Sequence, residues 1–286
     1  MGLKKSLISC FSRLESIRHS DPELTPENWC RQQPCIKVTI ASREILLSQP
    51  ASTLYVYLLA VVCIGVAIYF WWFRGNELSR LWWGISLSAW GIGAFLAGTS
   101  YQAFGYEIKC AGRESCSWTS WWELVYLMFQ QISMSAMLVA VAYCCTAGTM
   151  RTLLSCYAMA SSLLYVIVVF IGGFVPVKPL ITFGFMVRFS LPAFVLMLIV
   201  SGWRYCMQGN FADLVLVGAW LLLLFISAAY YLYDELEITE KLWEQGAGIW
   251  FSQNDLLHIG LILWMLYIAL FVADRVKDTT VSIIPG

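Results

Sequence analysis

The sequence has little charge for its length. Only 13% of its 286 residues are charged, whereas 59% are hydrophobic, and the mean hydropathy is +0.69. A water-soluble domain usually has about 25% charged residues, so this chain has too few polar side chains to cover a soluble globule of its size. The composition therefore indicates an integral membrane protein.

Further shortages exclude whole classes of function. Eighteen basic residues balance eighteen acidic ones, so no excess of positive charge indicates nucleic acid as a partner. The chain has only two histidines, which excludes a metal site with three histidine ligands. A retinal protein needs a Schiff-base lysine in its last span, and the last apolar stretch, at 254–273, has none. The P-loop and the His-Glu-x-x-His zinc motif are also absent.

Seven apolar stretches are long enough to cross a membrane. A transmembrane helix needs about 20 mostly apolar residues. The stretches that meet this length lie at 51–73, 81–104, 121–147, 152–175, 178–202, 212–233 and 254–273. Because the linkers between them are short, we predict one all-α bundle of seven transmembrane helices over residues 51–273, with tails at 1–50 and 274–286. The sequence does not indicate an oligomeric state.

Small residues in the second span predict close helix packing. Gly93 and Ala97 form one pair at a spacing of four residues, and Ala94 and Gly98 form another. Such small-xxx-small pairs let the backbones of neighbouring transmembrane helices approach each other.

The N-terminal tail has the pattern of a helix that lies on a membrane surface. Leu3, Leu7, Phe11, Leu14 and Arg18 recur at helical spacing, with basic residues between them. A basic amphipathic helix of this kind binds to anionic lipid. The pattern therefore favours a cytoplasmic N-terminal side.

Cysteines favour the opposite orientation. Cys30, Cys35, Cys110 and Cys116 all lie on the side of the membrane that carries the N-terminus. Their spacing allows two disulfides, Cys30–Cys35 and Cys110–Cys116, if that side is oxidising. Basic residues near the membrane are evenly divided between the two sides, so the positive-inside rule does not decide, and the orientation stays open.

Ionisable residues inside the spans are the first candidates for a functional site, because each costs about 2.5–3.5 kcal/mol or more in the membrane. Arg188 is near the middle of the predicted fifth span, Glu123 is one turn into the third, and Asp255 and His258 share one face of the seventh. Their depths favour a polar cavity that opens toward the N-terminal side. The alternative is a structural network, in which Glu123 and Asp255 complement helix dipoles and Arg188 pairs with one of them.

The layout also resembles the seven-span membrane hydrolases and receptors that include the alkaline ceramidases and the adiponectin and progestin receptors. Ser100 and Gln102 end the second span, Glu123 opens the third, and Asn254 and His258 have the spacing of that family's His-x-x-x-His pair. The resemblance implies a zinc ion held by three histidines that hydrolyses an amide bond in a lipid. Gln102 and Asn254 stand at two histidine positions, and amides bind zinc poorly, so we expect no zinc and no other cofactor.

We therefore expect a multi-pass membrane protein that binds a membrane lipid or another amphiphile in the cavity. In this interpretation Arg188 holds an anionic or carbonyl group, and Glu123, Asp255 and His258 orient the ligand. Two alternatives stay open. One is a lipid amidase with an atypical metal site, in which Asp255 and His258 bind the metal with Glu123 as a third ligand. The other is a transporter or channel that uses the intramembrane charges.

Overall fold

The computed structural model describes residues 12–40, 42–243 and 248–279. In chain order the helices are α1 (Pro26–Gln32), α2 (Pro50–Trp72), α3 (Leu78–Ala97), α4 (Gly105–Lys109), α5 (Trp121–Cys145), α6 (Gly148–Phe174), α7 (Phe183–Gln208), α8 (Phe211–Glu235), α9 (Ile238–Leu242) and α10 (Gln253–Tyr267). π-helical turns extend α3 through Gly98–Ala103 and α10 through Ile268–Val272. Seven helices, namely α2, α3, α5, α6, α7, α8 and α10, are long and apolar enough to cross a membrane. The predicted all-α bundle of seven spans is confirmed.

The fifth span begins later than the sequence predicts. Lys178–Ile181 forms a 3-10 turn, and α7 begins only after Thr182. The Thr182 hydroxyl accepts a hydrogen bond from the Phe185 amide at 3.1 Å, and such a cap starts a helix at the residue that follows it. Arg188 consequently lies in the second turn of α7, not near the middle of the span as predicted.

Small residues bring α3 close to both of its main neighbours. A Cβ atom at Gly98 would lie 2.4 Å from Cγ1 of Val56 in α2, and one at Gly93 would lie 2.9 Å from Nε2 of Gln130 in α5. A larger side chain at Gly98 would push α3 away from α2, and one at Gly93 would displace the end of the Gln130 side chain. The close packing predicted from the small residues is confirmed.

Aromatic rings connect four of the spans through the core. Phe70 of α2 stacks on Trp83 of α3 with ring centroids 5.7 Å apart, and Trp83 stacks on Trp220 of α8 at 5.9 Å. Trp264 of α10 lies 6.5 Å from Trp220 and 5.2 Å from Trp90 of α3. We call these five residues the aromatic column.

The segment before α2 folds against one end of the bundle, which we call the N-terminal side. Strands β1 (Cys35–Ile40) and β2 (Arg43–Ser48) form an antiparallel hairpin. The Leu46 amide donates a hydrogen bond to Glu107 Oε1 of α4 at 2.9 Å. This contact joins the hairpin to the loop that follows α3.

The predicted amphipathic helix falls largely outside the described residues, since Leu3, Leu7 and Phe11 are not among them. Its last hydrophobic residue, Leu14, lies in a 3-10 turn and is buried against Leu124 and other side chains of the bundle. Leu14 thus contacts protein and not a membrane surface.

Cysteines of the N-terminal side share one buried cluster. Cys110 and Cys116 form a disulfide. Cys30 and Cys35, the other predicted pair, are free thiols that hydrogen-bond to each other. Burial, together with this hydrogen bond, raises the pKa of the Cys35 thiol to about 12, so it is protonated at neutral pH.

The residues after α10 close the opposite end of the bundle. The Asp278 carboxylate accepts hydrogen bonds from the amides of Leu78 and Ser79 at 2.9 and 2.8 Å, which caps the first turn of α3. Arg80 donates from Nε to the Val276 carbonyl at 2.9 Å. These contacts fasten the C-terminal segment to α3.

Candidate functional site

A cavity of about 390 Å³ lies within the N-terminal-side half of the bundle. Every span except α6 contributes to its wall, and we call it the central cavity. Most of its lining is apolar and includes Val56, Leu59, Ala94, Met186, Phe194 and Leu261. Such a wall solvates hydrocarbon and offers few hydrogen bonds to a polar solute.

A few polar side chains interrupt the apolar wall. They are Trp90, Tyr126, Gln130, Ser190, Ser227, Tyr231 and His258. Gln130 lies against α3 because Gly93 has no side chain in its way. The Ser190 hydroxyl donates to Gln131 Oε1 at 2.6 Å, so its proton is already used by the protein. A sparse polar set on an apolar wall can orient one functional group of an otherwise apolar ligand.

His258 is the predicted site residue that lies on the central cavity. Its side chain is buried, with 9% of the residue exposed, and its Nδ1 atom has no hydrogen-bond partner. A buried polar atom without a partner costs about 1–3 kcal/mol. A ligand that supplies a hydrogen bond to this ring would recover that cost.

The cavity has a lateral mouth between α7 and α8. Leu191 of α7 and Leu224 and Tyr231 of α8 line the cavity, yet they are 54%, 48% and 49% exposed. A residue that is both lining and exposed marks the place where an internal wall reaches the surface. Because this surface belongs to two spans, the mouth faces the hydrocarbon of the membrane.

The Asp255 side chain caps the N-terminus of its own helix, α10. Its Oδ2 atom accepts hydrogen bonds from the Ser252 amide at 2.7 Å and the Ser252 hydroxyl at 3.0 Å. The Ser252 hydroxyl in turn accepts from the Asp255 amide at 3.2 Å. This reciprocal capping box begins α10, and it gives Asp255 the structural role that helix-dipole complementarity predicts.

Glu123 is also engaged by the protein. It is 2% exposed, and its carboxylate lies 2.9 Å from Lys109 Nζ and accepts a hydrogen bond from the Thr119 hydroxyl at 2.8 Å. The Ser120 side chain caps α5 beside it. The carboxylate thus links the start of α5 to the loop that carries the Cys110–Cys116 disulfide.

Arg188 does not point into the central cavity. It is exposed on the outer face of α7 and lines a groove against α6, with Nε donating to the Gly184 carbonyl of its own helix at 3.1 Å. The expectation that Arg188 holds a ligand together with Glu123, Asp255 and His258 is therefore wrong, because the four side chains face different surroundings.

The remaining candidates do not line the cavity either. Ser100 is fully buried and donates to the Leu96 carbonyl of its own helix at 2.9 Å. Gln102 is buried with no partner for Oε1, and Asn254 is half-buried in the first turn of α10. Within residues 12–40, 42–243 and 248–279, no group of three His, Cys, Asp or Glu side chains is placed to hold a metal ion. Asp255, His258 and Glu123 thus do not form the three-ligand site of the amidase alternative.

Sequence reasoning missed most of the polar residues of the cavity. Gln130, Ser190 and Ser227 are uncharged, so they do not stand out in an apolar span as an ionisable residue does. For Gln130 the sequence did contain one indication of its position, because Gly93, which lies opposite it, belongs to the small-residue pattern of α3.

Comparison with known proteins identifies no relative of this chain. No protein-family model matches the chain, and no curated protein matches it significantly. The resemblance to ceramidases and adiponectin receptors stays a prediction.

Proposed function

We propose that this multi-pass membrane protein binds a membrane lipid or another amphiphile in the central cavity. The single observation that carries the proposal is the combination of an apolar cavity inside the bundle with a buried histidine whose Nδ1 has no partner. A volume of about 390 Å³ falls in the usual range for small-molecule sites, about 300–1,000 Å³. It suits one hydrocarbon chain or a compact hydrophobic ligand.

The polar and apolar parts of the cavity give the ligand a direction. His258 and Gln130 lie on the wall and offer hydrogen-bonding groups to a hydroxyl, amide or carboxyl group. The apolar side chains around them suit a hydrocarbon chain. The mouth between Leu191 and Leu224 gives access from the bilayer, so the ligand need not cross water.

Lipid analysis of two histidine variants tests the proposal. The protein is purified in a mild detergent, and the lipid that remains bound is extracted and quantified per mole of protein. We expect a specific amphiphile in near-stoichiometric amount, reduced about tenfold in His258→Leu, since one hydrogen bond in a buried site is worth about 1–1.5 kcal/mol.

The matched control is His19→Leu, which changes the other histidine of the chain, a half-buried residue of the N-terminal segment that does not line the cavity. It should retain the ligand of the unmodified protein. Bound lipid that is nonspecific in composition, or unchanged in His258→Leu, would contradict the proposal.

The geometry of the described residues supports neither alternative, the lipid amidase or the transporter. An amidase of the predicted kind needs Glu123, Asp255 and His258 around one metal, and Glu123 is paired with Lys109 instead. A charged relay for transport needs the ionisable groups in one chamber, and Arg188 lies on the outer surface of α7. Zinc analysis of the same samples tests the first, since an amidase should carry zinc that His258→Leu loses.

A further inference from the structure

A second groove lies on the outer surface of the bundle, between α6 and α7. Its volume is about 470 Å³, and its lining includes Tyr157, Ala160, Leu164, Phe189 and Pro192. Arg188 is the charged residue on this lining. The groove is separate from the central cavity, to which α6 contributes no lining residue.

Arg188 has no acidic partner among the described residues. The ion pairs found there are Lys109–Glu123, Arg113–Glu15 and Arg204–Asp213. The polar contact found for its guanidinium is the bond from Nε to Gly184. Its terminal nitrogens therefore have no partner among the described residues, and an unneutralised arginine on a membrane-facing surface is unfavourable.

The side chain of Arg188 points toward the N-terminal side of the membrane. Helical side chains lean toward the start of their helix, and the bond to the Gly184 carbonyl holds Arg188 in that direction. Arg188 lies five residues from the start of α7 at Phe183, about 8 Å along the axis. From this depth a long arginine side chain reaches the headgroup region.

From this arrangement we infer that the groove binds an anionic phospholipid, with the phosphate on Arg188 and one acyl chain along α6. The planar guanidinium presents paired donors that match a phosphate. Ser161 at the back of the groove already accepts a hydrogen bond from Gln131 at 3.3 Å. The groove below Arg188 therefore offers mainly Ala160, Leu164 and Pro192, which suit hydrocarbon.

Native mass spectrometry with defined lipids tests this site. The full-length protein is exposed to equal amounts of phosphatidylglycerol and phosphatidylcholine, and the ratio of the two bound lipids is measured. We expect enrichment of phosphatidylglycerol that falls about fivefold in Arg188→Gln, the factor expected for one basic residue at a membrane surface. Arg188→Lys should keep part of the enrichment, since it retains the charge and loses the paired donors.

Arg74→Gln is the matched control, because Arg74 is an exposed arginine in the loop between α2 and α3, at the opposite end of the bundle. A phosphatidylglycerol analogue with a photoreactive acyl chain then locates the site in the unmodified protein. Crosslinks should fall on peptides that contain Tyr157–Leu164 or Arg188–Pro192. No preference for phosphatidylglycerol, a preference that survives Arg188→Gln, or crosslinks confined to other helices would overturn the inference.

Discussion

Two parts of the bundle differ in how completely their helices are covered. In α5, 78% of the apolar stretch is buried by other parts of the protein, and in α3 61% is buried. In α6 and α7 only 22% is buried. We call α2, α3 and α5 the packed half, and α6, α7, α8 and α10 the open half.

The packed half is held by close helix approach. Lipid tails are as apolar as leucine, so membrane helices associate through van der Waals packing and hydrogen bonds, and not through the hydrophobic effect. Gly93 and Gly98 permit that packing, and Ser86 and Ser133 add hydrogen bonds between α3 and α5.

Both candidate lipid sites reach the outer surface in the open half. The mouth of the central cavity lies between α7 and α8, and the Arg188 groove lies between α6 and α7. The comparison implies that buried contacts between helices carry the stability, whereas the outward faces of α6, α7 and α8 give access to the ligand sites. The predictions below are ways to break that separation.

The largest effect on stability is expected for Trp220→Ala. Trp220 is fully buried in the aromatic column, and its Nε1 donates to the Ser201 hydroxyl at 3.1 Å. Truncation of a buried tryptophan costs about 3–5 kcal/mol. Unfolding in mixed micelles measures this cost, with Trp203→Ala, a 57% exposed tryptophan of α7, as the control. Equal losses in the two variants would contradict the account of the column.

A slightly smaller loss is expected for Glu123→Ala. This change leaves the buried Lys109 ammonium without its carboxylate, and an uncompensated buried charge costs about 3 kcal/mol. The same unfolding assay measures it. Lys109→Met combined with Glu123→Leu should be more stable than Glu123→Ala alone, because both charges are gone. If the double variant is less stable than the single one, the ion pair is not what links α5 to the loop.

A loss of about 2 kcal/mol is expected for Gly98→Ala, in the range for overpacking. The added methyl would lie 2.4 Å from the stiff side chain of Val56. Gly65→Ala in α2 is the matched control, since nothing lies within 4 Å of its Cβ position. Gly65→Ala should leave the free energy of unfolding unchanged or slightly raised, so an equal loss in both variants would exclude a clash with α2 as the cause.

The smallest effect on stability is expected for Leu191→Ala, at the mouth of the cavity. Leu191 is 54% exposed, so its truncation should cost less than about 1 kcal/mol. The wider mouth should nevertheless speed the exchange of bound lipid for deuterated lipid added in vesicles. An exchange rate equal to that of the unmodified protein would mean that the ligand enters elsewhere.

The sequence was sufficient for the architecture and for part of the site. Long apolar runs determine the spans directly, and His258 stood out because a titratable residue in such a run is rare. Glu123 and Asp255 stood out for the same reason, yet Glu123 pairs with Lys109, and Oδ2 of Asp255 is bonded to Ser252. Those partners lie at the end of α4 and at the N-cap of α10, where sequence reasoning did not look for them.

The direction in which α7 faces could not be predicted. A span that is apolar on all sides has no amphipathic pattern to show which face is inside. Arg188 was therefore assigned to the cavity, although Met186 and Ser190 point inward and Arg188 points out. Only the packing of α7 against α5 and α8 decides this.

Lipid occupancy in two leucine variants of α8 tests the central claim most directly. Leu224 lines the mouth of the cavity and is 48% exposed, whereas Leu221 is 51% exposed and does not line it. Native mass spectrometry should find the same cavity amphiphile bound in the unmodified protein and in Leu221→Trp, and a clear loss of that amphiphile in Leu224→Trp, in which the indole fills the mouth. Equal occupancy in both variants, or none in the unmodified protein, would contradict lipid binding in the central cavity.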